Sequence, residues 1–345
     1  MTLTTLKARV LAMSLGLVLL NAGAWLWTLI AFRGEPALLG VALVVYGLGL
    51  RHAVDADHIA AIDNVTRKLM QMGDRPVAVG FFFAIGHSAV VIIVTALVAG
   101  AATFAGRFNS FKQIGDVFGP AVSALFLFAI AAMNIVIFVS IYRSFRRLRR
   151  GGPYIEDNID LLLDGRGFLA RIFRPLFGLV TKSWHMLLLG FLFGLGFDTA
   201  TEVAMFGLSA AQAAKAMPLT DILAFPALFA AGMSLVDTTD GMLMLGAYAW
   251  AFVKPVRKLY YNLSITFISI VVALVVGGIE VFGLIADHLT LKEGVLGRLW
   301  SGISALNDHF NALGFAIIGL FLAAWAISFA IYKIKHLDEL DVGSA

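Results

Sequence analysis

Eight apolar runs, each long enough to cross a lipid bilayer, constrain this chain more than any other feature of its sequence. A bilayer core requires about 20 apolar residues per helix. Hydrophobic residues make up 60% of the 345 residues and charged residues only 14%, against about 25% charged in soluble domains. The sequence predicts an all-α integral membrane protein with spans near 10–32, 37–64, 77–105, 118–142, 184–208, 222–252, 259–286 and 312–334.

The basic residues are distributed unevenly between the two sides of these spans. If the N-terminus is cytoplasmic, 19 of the 26 Lys and Arg residues fall in cytoplasmic segments, many of them in a basic loop at about 143–183. Because such residues mark the cytoplasmic side, we expect both termini there, in a cytoplasmic membrane of bacterial type. We expect one transporter domain over 1–345. The net charge of +4 therefore reflects topology and not a nucleic-acid partner.

A short internal repeat relates two of the predicted spans. Gly47-Leu48-Gly49-Leu50 precedes an acidic cluster in the second span, and Gly194-Leu195-Gly196-Phe197 precedes another in the fifth. These spans cross in opposite directions, and many secondary transporters place their substrate site between inverted repeats. The sequence thus predicts an inverted repeat that relates spans 2 and 3 to spans 5 and 6.

Ionisable side chains cluster inside four spans, although each costs a few kcal/mol to insert (about 2.5–3.5 at the helix centre). The second span holds Arg51, His52, Asp55, Asp57, His58 and Asp63, the third holds His87, the fifth holds Asp198 and Glu202, and the sixth holds Asp237 and Asp240. Such costly residues concentrate where they bind or conduct a substrate. The sequence therefore predicts a polar site inside the helix bundle.

Helical periodicity places most of the polar residues of the second span on one face. At about 100° per residue, all except Asp57 lie within about 140°; Asp57 points elsewhere unless the helix bends, and Gly47 and Gly49 would ease a distortion there. Arg51 is one turn from Asp55, so we interpret it as a counter-ion. Asp63 lies where the span is expected to end.

The residue types indicate a first-row transition metal. The chain has no cysteine, so its ligands are nitrogen, oxygen or thioether atoms. Imidazole and carboxylate together suit Ni²⁺, Co²⁺ and Zn²⁺, whereas Mg²⁺ and Ca²⁺ sites normally use oxygen alone. His87 taken alone is equally consistent with a hydrogen bond between helices.

Four motifs in this order resemble the nickel/cobalt transporter family. They are Arg51-His52-Ala53-Val54-Asp55-Ala56-Asp57-His58-Ile59, Gly86-His87-Ser88, Leu195-Gly196-Phe197-Asp198-Thr199-Ala200-Thr201-Glu202 and Asp237-Thr238-Thr239-Asp240-Gly241. The resemblance implies a secondary permease that takes up Ni²⁺, Co²⁺ or both as substrate, without a cofactor. It implies metal recognition by His52, Asp57 and His58 with His87 as partner, and a pathway or supporting role for Arg51, Asp55, Asp198, Glu202, Asp237 and Asp240.

Three alternatives remain open at this point. An intramembrane metalloenzyme would use His52, His58 and a carboxylate around a metal with one open position, but the chain has no His-Glu-x-x-His helix. A related efflux permease would tend to carry a histidine-rich cytoplasmic loop, which 143–183 is not. A proton relay would need no metal. The expected partners are a divalent metal ion and membrane lipid, and the oligomeric state stays open.

Overall fold

A computed structural model of the protein is helical throughout the part of the chain that it describes, with no β-strand there. It describes residues 3–100, 108–149, 180–195, 208, 211–212, 215, 217–251, 255–288 and 310–334. The helices are α1 (Leu3–Ala31), α2 (Pro36–His52), α3 (Ala56–Gln71), α4 (Val79–Gly100), α5 (Phe108–Arg149), α6 (His185–Gly194), α7 (Leu219–Ile222), α8 (Ala224–Ala251), α9 (Pro255–His288) and α10 (Phe310–Ile334). The all-α prediction is confirmed over these residues.

Several of these helices are long and apolar enough to cross a membrane. Five single segments qualify: Thr5–Ala31, Val79–Ala99, Pro120–Val139, Leu219–Tyr248 and Leu263–Ile285. The bent pair α2–α3 makes a sixth if it counts as one span. Two shorter apolar helices, His185–Gly194 and Ala312–Phe321, lie within the predicted fifth and eighth spans. The second half of the fifth span falls outside the described residues.

The predicted second span is broken in its middle. α2 ends at His52, α3 begins at Ala56, and their axes differ by 52°. The prediction of a distortion near Gly47 and Gly49 was wrong in position, because α2 is regular through both glycines. Gly49 serves close packing instead, since a Cβ there would overlap the backbone carbonyl of Phe229 in α8.

α3 is enclosed by protein although its sequence is not apolar. It packs against α4, α5, α8, α9 and α10, and every residue from His58 to Leu69 is buried. The expectation that the span ends near Asp63 was wrong, because α3 continues to Gln71. Polar partners of Asp63 and Arg67 within the bundle account for the difference, as described below.

Glycines bring the helices that carry polar residues into close contact. Apolar side chains gain little by leaving lipid, so membrane helices associate largely by close approach at small residues. A Cβ at Gly80 in α4 would overlap the backbone carbonyl of Asp237 in α8, and one at Gly86 would overlap that of Leu187 in α6. α4 is thereby held against α8 on one side and α6 on the other, which fixes the position of His87.

Candidate metal centre

Three buried histidines from three helices form the core of the site. His52 ends α2, His58 lies in the first turn of α3, and His87 lies in α4. The ring centroids are 4.8 Å apart for His52 and His58 and 4.9 Å apart for the other two pairs. One nitrogen from each ring lies within 4.8 Å of the other two. The three imidazoles thus form a nearly equilateral triangle.

The break between α2 and α3 creates this triangle. Backbone hydrogen bonds from Val54 to Arg51 and from Asp55 to His52, both 3.0 Å, close a tight turn. In one straight helix, His52 and His58 would lie about 9 Å apart along the axis. The turn instead brings the two rings into contact, with their centroids 4.8 Å apart. The C-terminal end of α2, where a helix carries partial negative charge, also lies at His52 and favours a cation there.

Two carboxylates lie beside two of the rings. Asp55 Oδ2 lies 2.8 Å from Nδ1 of His52, although Asp55 is the N-cap of α3 and would ordinarily accept hydrogen bonds from that helix. Asp237 Oδ2 lies 3.4 Å from Nδ1 of His58. A carboxylate on one nitrogen fixes the tautomer and leaves the other nitrogen available as a metal ligand.

Several buried polar atoms at the site have no hydrogen-bond partner. They include both ring nitrogens of His58 and both carboxylate oxygens of Asp237. Neither residue is measurably exposed. The great majority of buried polar groups in proteins are hydrogen-bonded, so a group without a partner indicates a place where a ligand can bind. A carboxylate without donors beside an imidazole without partners fits a bound cation.

The distances between the rings suit a transition-metal ion. Nε2 of His52 and Nε2 of His87 are 3.0 Å apart. Two nitrogens bound at about 2.1 Å to one ion, at a right angle, are separated by about 3.0 Å. Phe83 packs edge-on against His58 at a centroid distance of 4.8 Å, and Phe229 lies 5.5 Å from His52. These aromatic rings exclude water and strengthen electrostatic interactions inside the site.

The other predicted site residues lie outside this triangle of histidines. Asp57 is half-buried in the first turn of α3 and lies outside the three-histidine group. Arg51 is exposed, unlike the residues predicted to share its face. Asp240 is buried, and its Oδ2 has no hydrogen-bond partner. Asp198 and Glu202 lie outside the described residues.

A second polar layer, which sequence reasoning missed, lies further along α3. We refer to it as the inner polar layer: Asp63, Asn64 and Arg67 of α3, Asn134 of α5, Tyr248 of α8, and Thr266 and Ser269 of α9. All seven residues are buried. The spacing of Asp63 and Arg67, four apart on one helix, was the one sequence signal for it.

The layer has two branches. Asp63 accepts hydrogen bonds from the hydroxyl groups of Tyr248 and of Ser269, the latter at 3.0 Å. Arg67 donates from Nη1 to Thr266 at 2.8 Å and from Nη2 to Asn64 Oδ1 at 3.3 Å. Asn134 donates to that same oxygen at 2.6 Å. The layer therefore ties α3 to α5, α8 and α9.

Comparison with known proteins identifies the family. The family model for NicO, the high-affinity nickel-transport protein, matches residues 38–331. This chain belongs to the NicO family. The resemblance to nickel/cobalt transporters is thereby confirmed, and the NicO chain is a multi-pass membrane protein of a transport family, not of an enzyme family.

Three relatives of this NicO protein match over more than four fifths of their own length. A high-affinity nickel transport protein of Cupriavidus necator is 57% identical over 337 residues, which is 97% of this chain and 95% of that protein. The hydrogenase nickel incorporation protein HupN of Bradyrhizobium diazoefficiens is 51% identical over 92% of this chain and 82% of its own. The cobalt transport protein NhlF of Rhodococcus rhodochrous is 37% identical, over 89% and 87%. No solved structure matches the chain.

Proposed function

We propose that this NicO protein is a secondary permease that takes up Ni²⁺ or Co²⁺ across the cytoplasmic membrane, with the ion held by His52, His58 and His87. The observation that carries this proposal is the fully buried Nε2 of His58, which has no hydrogen-bond partner and lies beside two further imidazoles. A neutral nitrogen in this position gains its missing partner when a metal ion binds.

Asp57 and the acidic residues of α8 belong to the proposed pathway. Asp57 is half-buried and adds a negative charge beside the triangle, which supports its role as a further ligand. Asp237 and Asp240 offer unsatisfied carboxylate oxygens along α8. Arg51 and Asp55 are proposed to act around the ligands, Asp55 through His52. Asp198 and Glu202 are proposed to contribute from the fifth span.

The membrane potential can supply the driving force. Two charges that move inward are favoured by about 4.6 kcal/mol per 100 mV, from about 2.3 per charge. Uptake against a gradient therefore requires no nucleotide, and the chain has no phosphate-binding Gly-x-x-x-x-Gly-Lys motif.

The proposed topology has eight spans in one domain over 1–345, with both termini in the cytoplasm. The excess of Lys and Arg in the corresponding segments supports this orientation. The break at residues 53–55 supports the predicted inverted repeat, because discontinuous helices flank the substrate site in many transporters built from such repeats.

Uptake of ⁶³Ni and ⁵⁷Co at nanomolar concentration tests the proposal in cells that express the chain. His58→Ala should abolish accumulation, because it removes a ligand. The matched control is His185→Ala at equal expression, since His185 accepts a backbone hydrogen bond from Thr181, at 3.3 Å, and lies outside the three-histidine group, so its loss should leave uptake unchanged. If wild-type cells accumulate no more metal than cells with an empty vector, the protein is not an uptake permease.

A further inference from the structure

We infer that the inner polar layer is the cytoplasmic gate of the transport pathway, latched by Tyr248 and Ser269 on Asp63 and barred by the charge of Arg67. The inference rests on the proposed function, because it assigns a role to residues beside the proposed ion path. It adds a second functional element to the protein, one that contributes no ligand to the bound metal.

The position of the layer follows from two helices that it shares with the metal centre. Asp63 lies about 7.5 Å beyond His58 along α3, at about 1.5 Å per residue. Tyr248 follows Asp237 on α8, and its side chain reaches back to Asp63, as long helical side chains point toward their N-terminus. Both helices run from the histidines to the layer, which in the proposed topology is toward the cytoplasm. An ion that leaves the histidines inward between α3 and α8 meets this layer.

The latch joins three helices through neutral hydroxyl donors. Tyr248 of α8 and Ser269 of α9 both donate to the carboxylate of Asp63, and all three side chains are buried. Because the donors are uncharged, α8 or α9 can separate from α3 without the separation of an ion pair. Hydrogen bonds across membrane helices contribute modestly, about 1–2 kcal/mol or less each. Such a contact can hold the pathway closed and still open during transport.

Arg67 adds an electrostatic barrier at the same level. Its side chain is only 1% exposed and is fixed by Thr266 and Asn64. A guanidinium remains charged in proteins, and a dication that approaches it in a low-dielectric interior is strongly repelled. Asp63 lies one turn before Arg67 on α3 and is its oppositely charged neighbour. The positive end of the layer therefore acts as the barrier to the ion.

A network that only stabilises the fold would behave differently from a gate. Loss of a structural contact lowers stability but leaves the metal centre closed to water from the cytoplasm. Loss of a latch raises the access of water-soluble reagents to residues between the layer and the histidines, with little change in metal affinity. The two roles are thus separated by a measurement of access.

The absence of cysteine from the chain makes this measurement direct. Thr238 is fully buried, follows Asp237 in α8, precedes the layer, and its hydroxyl has no hydrogen-bond partner. Thr238→Cys therefore introduces one reporter thiol. In inside-out vesicles, a charged, membrane-impermeant methanethiosulfonate reaches it only from the cytoplasmic face. The rate of its modification reports how often the layer opens.

The test compares three proteins that all carry Thr238→Cys. Tyr248→Phe with Ser269→Ala should raise the modification rate about tenfold, since tenfold corresponds to about 1.4 kcal/mol. Tyr46→Phe is the matched control, because the hydroxyl of Tyr46 binds Asn21 at 2.9 Å away from the layer. It should leave the rate unchanged. Binding of Ni²⁺ by the latch variant should stay within about threefold of the parent.

Three results would overturn the inference. One is an unchanged modification rate in a latch variant that purifies as a folded protein. Another is no modification in any vesicle sample although the denatured protein reacts fully, since an open gate must admit water to Thr238. The third is a tenfold or greater loss of Ni²⁺ affinity in the latch variant, which would make Asp63 part of the metal centre. The modification assay does not depend on metal transport. Failure of the uptake proposal and failure of the gate proposal therefore give different results.

Discussion

The candidate metal centre and the inner polar layer are both buried and polar, but the side chains of the inner layer are hydrogen-bonded to one another, with Arg67 Nε as an exception. At the metal centre, both ring nitrogens of His58 and both oxygens of Asp237 lack hydrogen-bond partners. In the inner layer, Asp63 accepts two hydroxyl hydrogen bonds and Asn64 Oδ1 accepts two nitrogen donors. Unsatisfied groups favour a ligand, whereas satisfied groups hold helices together.

The two layers also differ in charge. The metal centre combines neutral-capable imidazoles with the carboxylates of Asp55 and Asp237, which attract a cation. The inner layer contains one carboxylate and one guanidinium, Asp63 and Arg67, which are one helical turn apart on α3. The same helix, α3, thus carries a histidine beside a carboxylate near its N-terminal end and a region of mixed charge further toward its C-terminal end.

The largest expected effect comes from removal of the charge of Arg67 alone. Arg67→Met leaves Asp63 buried without its counter-charge, and breaking a buried pair in this way costs about 3–5 kcal/mol. The double variant Asp63→Asn, Arg67→Met removes both charges and should recover much of that loss. Thermal melting of the purified protein in detergent measures both. If the double variant melts at as low a temperature as the single one, Asp63 and Arg67 do not compensate each other's charge.

Asp237→Asn should weaken Ni²⁺ binding by about 10- to 100-fold, the usual cost of losing a carboxylate that orients a ligating histidine. The same change removes a buried carboxylate without hydrogen-bond donors, so the metal-free protein should melt at an equal or higher temperature. Calorimetric titration with Ni²⁺ gives the affinity. The matched control is Asp221→Asn in α7, away from the layers, which should alter neither value.

Sequence reasoning reached the candidate metal centre because its residues are chemically unusual for a membrane span. His52, His58, His87 and Asp237 are costly in lipid and cluster on few helices, and the structure brings these four together. The break between α2 and α3 was only suspected, and at the wrong place. No glycine or proline occurs at residues 53–55, and the turn there is stabilised by the contact between His52 and Asp55, which joins side chains only once the chain is bent.

The inner polar layer escaped sequence reasoning for a different physical reason. Arg67 follows an apolar span and lies beside Lys68, so it was assigned to a cytoplasmic segment by the rule that basic residues mark that side. Its hydrogen-bond partners, Thr266 and Asn64, are neutral residues, and their positions in the sequence show no spacing that indicates a site. Only tertiary packing, which encloses α3 on all sides, shows that these residues meet.

Acidification should weaken metal binding at the centre. A proton and a metal ion compete for the same imidazole nitrogen, so ligand protonation lowers metal affinity as the pH falls. We expect Ni²⁺ affinity to drop as the pH falls from 7.5 to 4.5, because imidazole nitrogens enclosed by protein accept a proton only in acid. Equilibrium dialysis with ⁶³Ni measures it. An affinity that stays constant over this range would argue for carboxylate ligands in place of the histidines.

The smallest effect is expected at Gly47, where the sequence had suggested flexibility. Gly47 is exposed on a regular part of α2, and a Cβ there meets no atom within 4 Å. Gly47→Ala should therefore stabilise the protein by about 0.5–1 kcal/mol, the usual gain over glycine in a helix interior, with no change in Ni²⁺ affinity. Gly49→Ala, two residues later, should destabilise it, because α2 would be displaced from Phe229. Melting temperatures of the two variants test the predicted changes in stability. A loss of nickel affinity in Gly47→Ala would mean that α2 bends at its glycines during transport. The turn at residues 53–55 would then not be the only hinge near the metal centre.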